Sequence, residues 1–190
     1  MTMTTTHSRP AVVSPRVPEP TLARYPAATR APPPYTAAEP DRLIRMLRAS
    51  RAETIAIGHG RHTASAGAAD ALAAAWTADA GQVLAVVDWP AAAASRLRPA
   101  QRLAGSQPDA WILADTPAGC AQLASRPTGQ PGWTPGRTFG FAGVATPDLL
   151  ALTPPGALAG MTGARAAGGS WRIGQGLLLV NDDPEGATRA

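Results

Sequence analysis

Residues 54–60, Thr54-Ile55-Ala56-Ile57-Gly58-His59-Gly60, decide the fold together with residues 82–90, Gln82-Val83-Leu84-Ala85-Val86-Val87-Asp88-Trp89-Pro90. Each is a short apolar run that stops at a Gly- or Pro-bearing turn. Between them, residues 63–80 are alanine-rich, and Ala66, Ala69, Ala73, Trp76 and Ala80 mark one helical face. Gly81 stands where a helix C-cap glycine belongs. Strand, helix and strand in that order predict a parallel pair joined by a crossover.

The pattern repeats downstream. Residues 109–114 (DAWILA) read as a third strand, 138–143 (TFGFAG) as a fourth and 176–180 as a terminal fifth. Helices are expected from Arg98 to Gly105, where Pro99 suits a first turn, over 117–125, and from Pro147 with Leu149, Leu150 and Leu152. Pro154-Pro155 break the last of these, and a short helix is expected over 156–161. The fold class is therefore α/β: a parallel, doubly wound sheet of four to five strands with helices on both faces. In such a sheet ligands bind beyond the carboxyl ends of the strands, where strand order reverses. That geometry nominates the loops at His59–His62, 88–90, 115–117 and 143–146.

Upstream the character changes. Residues 1–39 hold eight prolines and few apolar residues. Such a segment has little to bury against its ordering entropy, so it reads as a disordered Pro/Arg-rich tail, with polyproline II character at Pro32 to Pro34. The α/β domain is expected over 40–180, opening with a helix capped by Asp41, and a loose tail over 181–190. That first helix is amphipathic, with Leu43, Ile44 and Leu47 on one side and Arg42, Arg45 and Arg48 on the other. The basic side reads as a solvated face.

The chain has 190 residues and a net charge of +4, and all 17 of its basic residues are arginine. The absence of lysine matches GC-rich coding. Eight arginines fall in the first 51 residues, so weak nucleic-acid binding there is an alternative use, though nucleic acid is not the expected partner. Cys120 is the single cysteine and excludes an internal disulfide. No run approaches the roughly 18 apolar residues that a membrane span needs. With no signal-peptide pattern, the chain as given is expected in the cytoplasm, and outside it if the N-terminus is mis-assigned.

Candidate chemistry is sparse. Gly58-His59-Gly60-Arg61 begins like a dinucleotide loop but lacks the third glycine, so no nucleotide cofactor is expected. His59 and His62 fall short of a zinc set, since His7 and Cys120 are distant. Cys120 has no evident base, and no serine or carboxylate pair shows catalytic spacing. The chain is read as a non-enzyme with neither cofactor nor metal. The ligand-binding residues nominated are Arg61 for an anion, Asp88, Trp89 for an apolar face, Asp115 and Thr116 for an amine or hydroxyl, and Gly143.

The order of three phrases, ADALAAAWTADAGQVLAVVDWP, QRLAGSQPDAWILADTPAGCAQL and TFGFAGVATPDLLALTPPGALAGM, resembles the C-terminal lobe of type 1 periplasmic substrate-binding proteins of the branched-chain amino acid ABC transporters. The resemblance covers residues 50–165. It implies a periplasmic-binding-protein-like lobe that closes on a small amino-acid-like solute and delivers it to a membrane transporter. It also implies ligand contacts from Asp115, Thr116, Ala142 and Gly143. This sequence departs from the family at GHGRHTAS, after the first strand, and lacks the usual aromatic and acid unless Asp115 supplies the latter. A lone lobe also leaves apolar surface for a second lobe, or for self-association as a homo-oligomer or scaffold.

Overall fold

A computed structural model describes residues 17–91, 96–125 and 132–182. Its centre is a seven-stranded sheet in the order β2-β1-β3-β4-β5-β6-β7. The strands are β1 (Thr54–Gly60), β2 (Gln82–Trp89), β3 (Ala110–Ala114), β4 (Thr138–Gly140), β5 (Thr162–Ala164), β6 (Ser170–Gly174) and β7 (Leu177–Asn181). The first five run parallel, and β6 and β7 add an antiparallel edge. The parallel doubly wound sheet is as expected. The terminal strand joins it as one arm of a β6–β7 hairpin rather than as a further parallel strand.

Side chains alternate across the sheet, as a period of two demands. Ile55, Ile57, Ile112 and Phe139 face a layer made by α2 (Ala38–Ala49) and α3 (Thr63–Ala78). Ala56, Val87, Trp111 and Leu113 face the opposite layer of α4 (Leu97–Gly105), α5 (Pro117–Ala124) and α6 (Pro147–Leu152). The two helices that follow β1 and β2 thus cover opposite faces, as right-handed crossovers in opposite directions require. Between the layers, β3 is buried at all five residues.

Four local expectations change. The segment read as a tail through residue 39 is ordered from Val17 onward; residues 1–16 lie outside the described residues. A short helix α1 (Glu19–Ala23) and a 3-10 turn at Pro26–Thr29 set Val17 and Ala28 into the core beside α5 and α6, with Leu22 and Tyr25 against it. Prolines stop long helices but suit first-turn positions, and Pro26 holds one here. Next, α2 begins at Ala38 and not at Asp41. Its N-cap residue is Ala37, with no side-chain cap, and buried Glu39 in its first turn accepts from the Thr36 amide at 3.0 Å and the Ala142 amide at 2.8 Å. The fourth strand stops at Gly140, and a 3-10 turn follows at Ala142–Val144. Finally, residues 155–160 form turns where a helix was expected over 156–161. The expected loose tail over 181–190 lies, from residue 183, outside the described residues.

Gly81 illustrates how a glycine can be required for another reason than the obvious one. The left-handed residue after α3 is Ala80, at φ 59°. Gly81 is needed for space, because a Cβ there would overlap the wholly buried Trp76 ring. Ala80→Gly should therefore stabilise the fold by about 1 kcal/mol by relieving a left-handed alanine. Gly81→Ala should destabilise it by about 1–3 kcal/mol through overpacking. Urea unfolding of the two variants measures both signs, and the opposite ranking would show that Gly81 is the turn glycine after all.

Candidate functional site

Strand order reverses at β1, which has β2 on one side and β3 on the other. The crevice beyond the carboxyl ends of β1, β3 and β4 is therefore the expected ligand position. A cavity of about 290 Å³ lies there. Its floor is Ala64, Ser65 and Ala68 at the start of α3, with Ala114 and Asp115 at the end of β3. Phe141, Gly143 and Thr146 form one wall. The roof is residues 32–35, and Tyr35 meets Phe141 edge to face with ring centroids 6.4 Å apart.

The roof belongs to a strap that crosses the end of the sheet. It leaves the α5–α6 layer after the Pro26–Thr29 turn, runs over the crevice, and enters α2 on the other face. Thr36 Oγ1 donates to the Ala166 carbonyl at 2.7 Å and fastens its far end. Pro32 rests on Gly143: a Cβ there would lie 2.7 Å from the Pro32 Cβ.

Two polar atoms in the lining lack partners among the described residues. They are Ser65 Oγ and Thr146 Oγ1, both buried. The N-cap residue His62 makes no side-chain cap, so the first amides of α3 beside Ser65 are not occupied by one. Hydroxyls and free helix amides favour an anionic or hydrogen-bonding group, and the proline and aromatic roof favours an apolar one.

The six nominated residues divide into three groups. Gly143 lines the cavity. Arg61 and Asp88 sit outside it, paired with each other at 2.5 Å on the surface, with side chains 60% and 41% exposed. Trp89, Asp115 and Thr116 form an internal cluster on the α4–α5 side of the sheet. Trp89 cannot offer a face to a ligand, because it is wholly buried. β2 continues two residues beyond the expected end, and alternation turns Asp88 out and Trp89 in. Its Nε1 donates to Asp115 Oδ2 at 2.6 Å. The Thr116 amide donates to Asp115 Oδ1 at 2.7 Å, while Thr116 Oγ1 accepts from the Gly119 amide and caps α5. Gly60 and Gly119 leave room for the carboxylate, and a Cβ on either would overlap it. Asp115, just after β3, therefore borders the cavity while its carboxylate is seated on Trp89 and Thr116.

Arg96 lies over the Trp89 ring at 5.6 Å and donates to the Pro90 and Ala91 carbonyls. Cys120 is buried beside this group, and burial, aided by the Asp115 charge, pushes its thiol pKa well up, which makes it a poor nucleophile. The described residues contain no group of three or more His, Cys, Asp or Glu that could hold a metal ion.

The sequence did not single out Ser65, Phe141 or the strap, and it placed Thr146 only within the nominated loop 143–146. Ser65 had a usable signal, since it sits in the first turn of a helix that follows a central strand. The strap had none, because its contacts are all distant in sequence.

Burial pushes the Asp115 carboxyl pKa up; the Trp89 and Thr116 hydrogen bonds and the Arg96 charge oppose it. A raised folded pKa stabilises the fold below the ordinary aspartate range, and that contribution is lost as pH rises through the raised value. Asp115→Asn removes this slope at the constant cost of one of the two hydrogen bonds, from Trp89 or from Thr116. Chemical denaturation at a series of pH values should show the native chain losing stability relative to the variant from the aspartate range upward. Parallel curves would refute the account.

No protein-family model matches the chain, and no curated protein does. Solved structures do. A substrate-binding periplasmic protein from Ralstonia solanacearum superposes with a TM-score of 0.60 at 17% identity, over 69% of this chain and 37% of that one. A putative branched-chain amino acid ABC transporter from Silicibacter pomeroyi gives 0.58 at 14% identity, over 69% and 34%. An extracellular ligand-binding receptor from Rhodopseudomonas palustris HaA2 gives 0.56 at 13% identity, over 71% and 38%. This chain spans little more than a third of the length of each, and over that part it has the periplasmic-binding-protein-like α/β fold.

Proposed function

We propose that the chain is a binding-protein-like lobe that holds a small amino-acid-like solute in the crevice under the strap. One observation carries the reading: a cavity at the strand-order reversal, with two unpartnered hydroxyls, Ser65 Oγ and Thr146 Oγ1, in a mainly apolar lining whose two carboxylates, Glu39 and Asp115, already accept hydrogen bonds from the protein. A volume of about 290 Å³ falls at the small end of ligand pockets. The solute's carboxylate is assigned to Ser65 and the first amides of α3, where the helix dipole favours negative charge. Its apolar side chain is assigned to Tyr35 and Phe141. The strap residues 32–35 then serve as the second wall, the place that a partner lobe takes in a two-lobed protein. Capture of a solute for transport is the process this reading borrows from the solved proteins named above.

Among the six residues nominated from sequence, Gly143 keeps a direct part in this reading, as the seat of Pro32. Asp115, Thr116 and Trp89 are assigned the support of the crevice floor. Arg61 and Asp88 are assigned a surface pair, worth little because both are largely exposed.

A thermal-shift screen of the full chain against the standard amino acids tests the reading. A small aliphatic amino acid at about 100 times its Kd should stabilise the fold by roughly 2.7 kcal/mol. Ser65→Ala should weaken that ligand about tenfold, the equivalent of one charge-assisted hydrogen bond. A second variant, Ala68→Leu, should fill the cavity and abolish the shift. A flat response across the whole screen, from protein shown to be folded, would end the proposal.

A further inference from the structure

Away from the crevice, a groove of about 450 Å³ lies between the later turns of α2 and the first residues of β4 and β5. Arg42, Arg45 and Arg172 line it, and no Asp or Glu does. Other arginines on this side have partners. Arg48 binds Asp79 at 2.7 Å and covers the Trp76 ring at 4.2 Å, and Arg137 donates to the Asp109 carbonyl at 2.5 Å. Arg45 and Arg172 are exposed, and neither makes an ion pair or hydrogen bond among the described residues. A solvated helix face accounts for Arg45 alone. It does not account for an arginine from β6 closing the same groove with no acid between them.

Arg172 stands opposite Leu179 across the β6–β7 pair, and Gly174 stands opposite Leu177. Directly opposed residues share a sheet face. Leu177 and Leu179 are 60% and 52% exposed. The basic groove therefore continues into an uncovered apolar strip, with no side chain at Gly174 to interrupt it.

We infer that this groove binds an organic phosphate monoester with an apolar substituent. The phosphate lies between the Arg45 and Arg172 guanidinia, and the apolar part runs along Leu179 and Leu177. Two forked guanidinia suit the nearly doubly charged oxygen cluster of a phosphate monoester better than a single carboxylate. The ligand is either a soluble metabolite or the headgroup and chain of an anionic lipid.

Calorimetric titration of the full chain at low salt with n-octyl phosphate and with inorganic phosphate tests this. Octyl phosphate should bind more than about tenfold tighter, since a few buried methylenes supply that much. The double variant Arg45→Gln/Arg172→Gln should lose both ligands. Leu179→Ser should keep inorganic phosphate and lose the preference for the octyl form. A control, Arg98→Gln/Arg102→Gln, removes the same charge from the exposed side of α4 and should change nothing. Sedimentation with phosphatidate-containing vesicles separates the sources: arginine-dependent vesicle binding assigns a lipid, and octyl phosphate binding without it assigns a soluble ligand. Absence of octyl phosphate binding, or equal loss in the control, overturns the site. So does light scattering in which Leu179→Ser converts a dimer to a monomer, since the strip then belongs to a second copy. Circular dichroism of each variant confirms that the fold persists.

Discussion

One buried carboxylate joins the carboxyl ends of β1, β2 and β3. Asp115 follows β3, takes its hydrogen bond from Trp89 at the end of β2, and sits against Gly60 at the end of β1. Thr116 and Gly119 bring the start of α5 to the same point. Replacing any one of these residues leaves another without a partner or without room. That is costly where water is excluded, because an unmade bond there forfeits its full desolvation penalty. The positions of Ser65 and Ala114 in the cavity floor follow from where these strand ends are held.

The second determinant is the strap. A sheet covered by helices on both faces still exposes the ends of its strands, and in this chain residues 32–36 lie across them. Proline favours this use. It holds an extended backbone without asking neighbours for amide hydrogen bonds, and it loses little conformational freedom on docking. Pro32 on Gly143, Tyr35 on Phe141 and Thr36 on Ala166 give the strap three separate attachments. Glu39 adds a fourth, joining the strap's end to the Ala142 amide across the crevice.

The first three strands were legible because short apolar runs bounded by Gly- or Pro-bearing turns leave few alternatives. β1, β2 and β3 each carry such a run. β5 and β6 were not, for physical reasons. β5 is only Thr162–Ala164, and its glycine is there because a Cβ would overlap the Gly140 carbonyl and the Trp171 ring. Nothing local in TGA announces a partner that arrives from β6. Trp89 was misread for a related reason: a strand end judged two residues short reverses the side on which an aromatic falls. The position of the crevice was legible from topology alone. Its occupants, Ser65, Thr146 and the strap, depend on tertiary contacts that span much of the chain.

The strap also sets an order of assembly. It leaves the ribosome well before Phe141, Gly143 and Ala166, the surfaces it grips, have been made. The strands and helices that lie between must therefore be synthesised before the strap can settle. Until then the proline-rich segment stays open to proteases and to any cellular factor that takes extended peptides, while the sheet is completed beneath an open crevice.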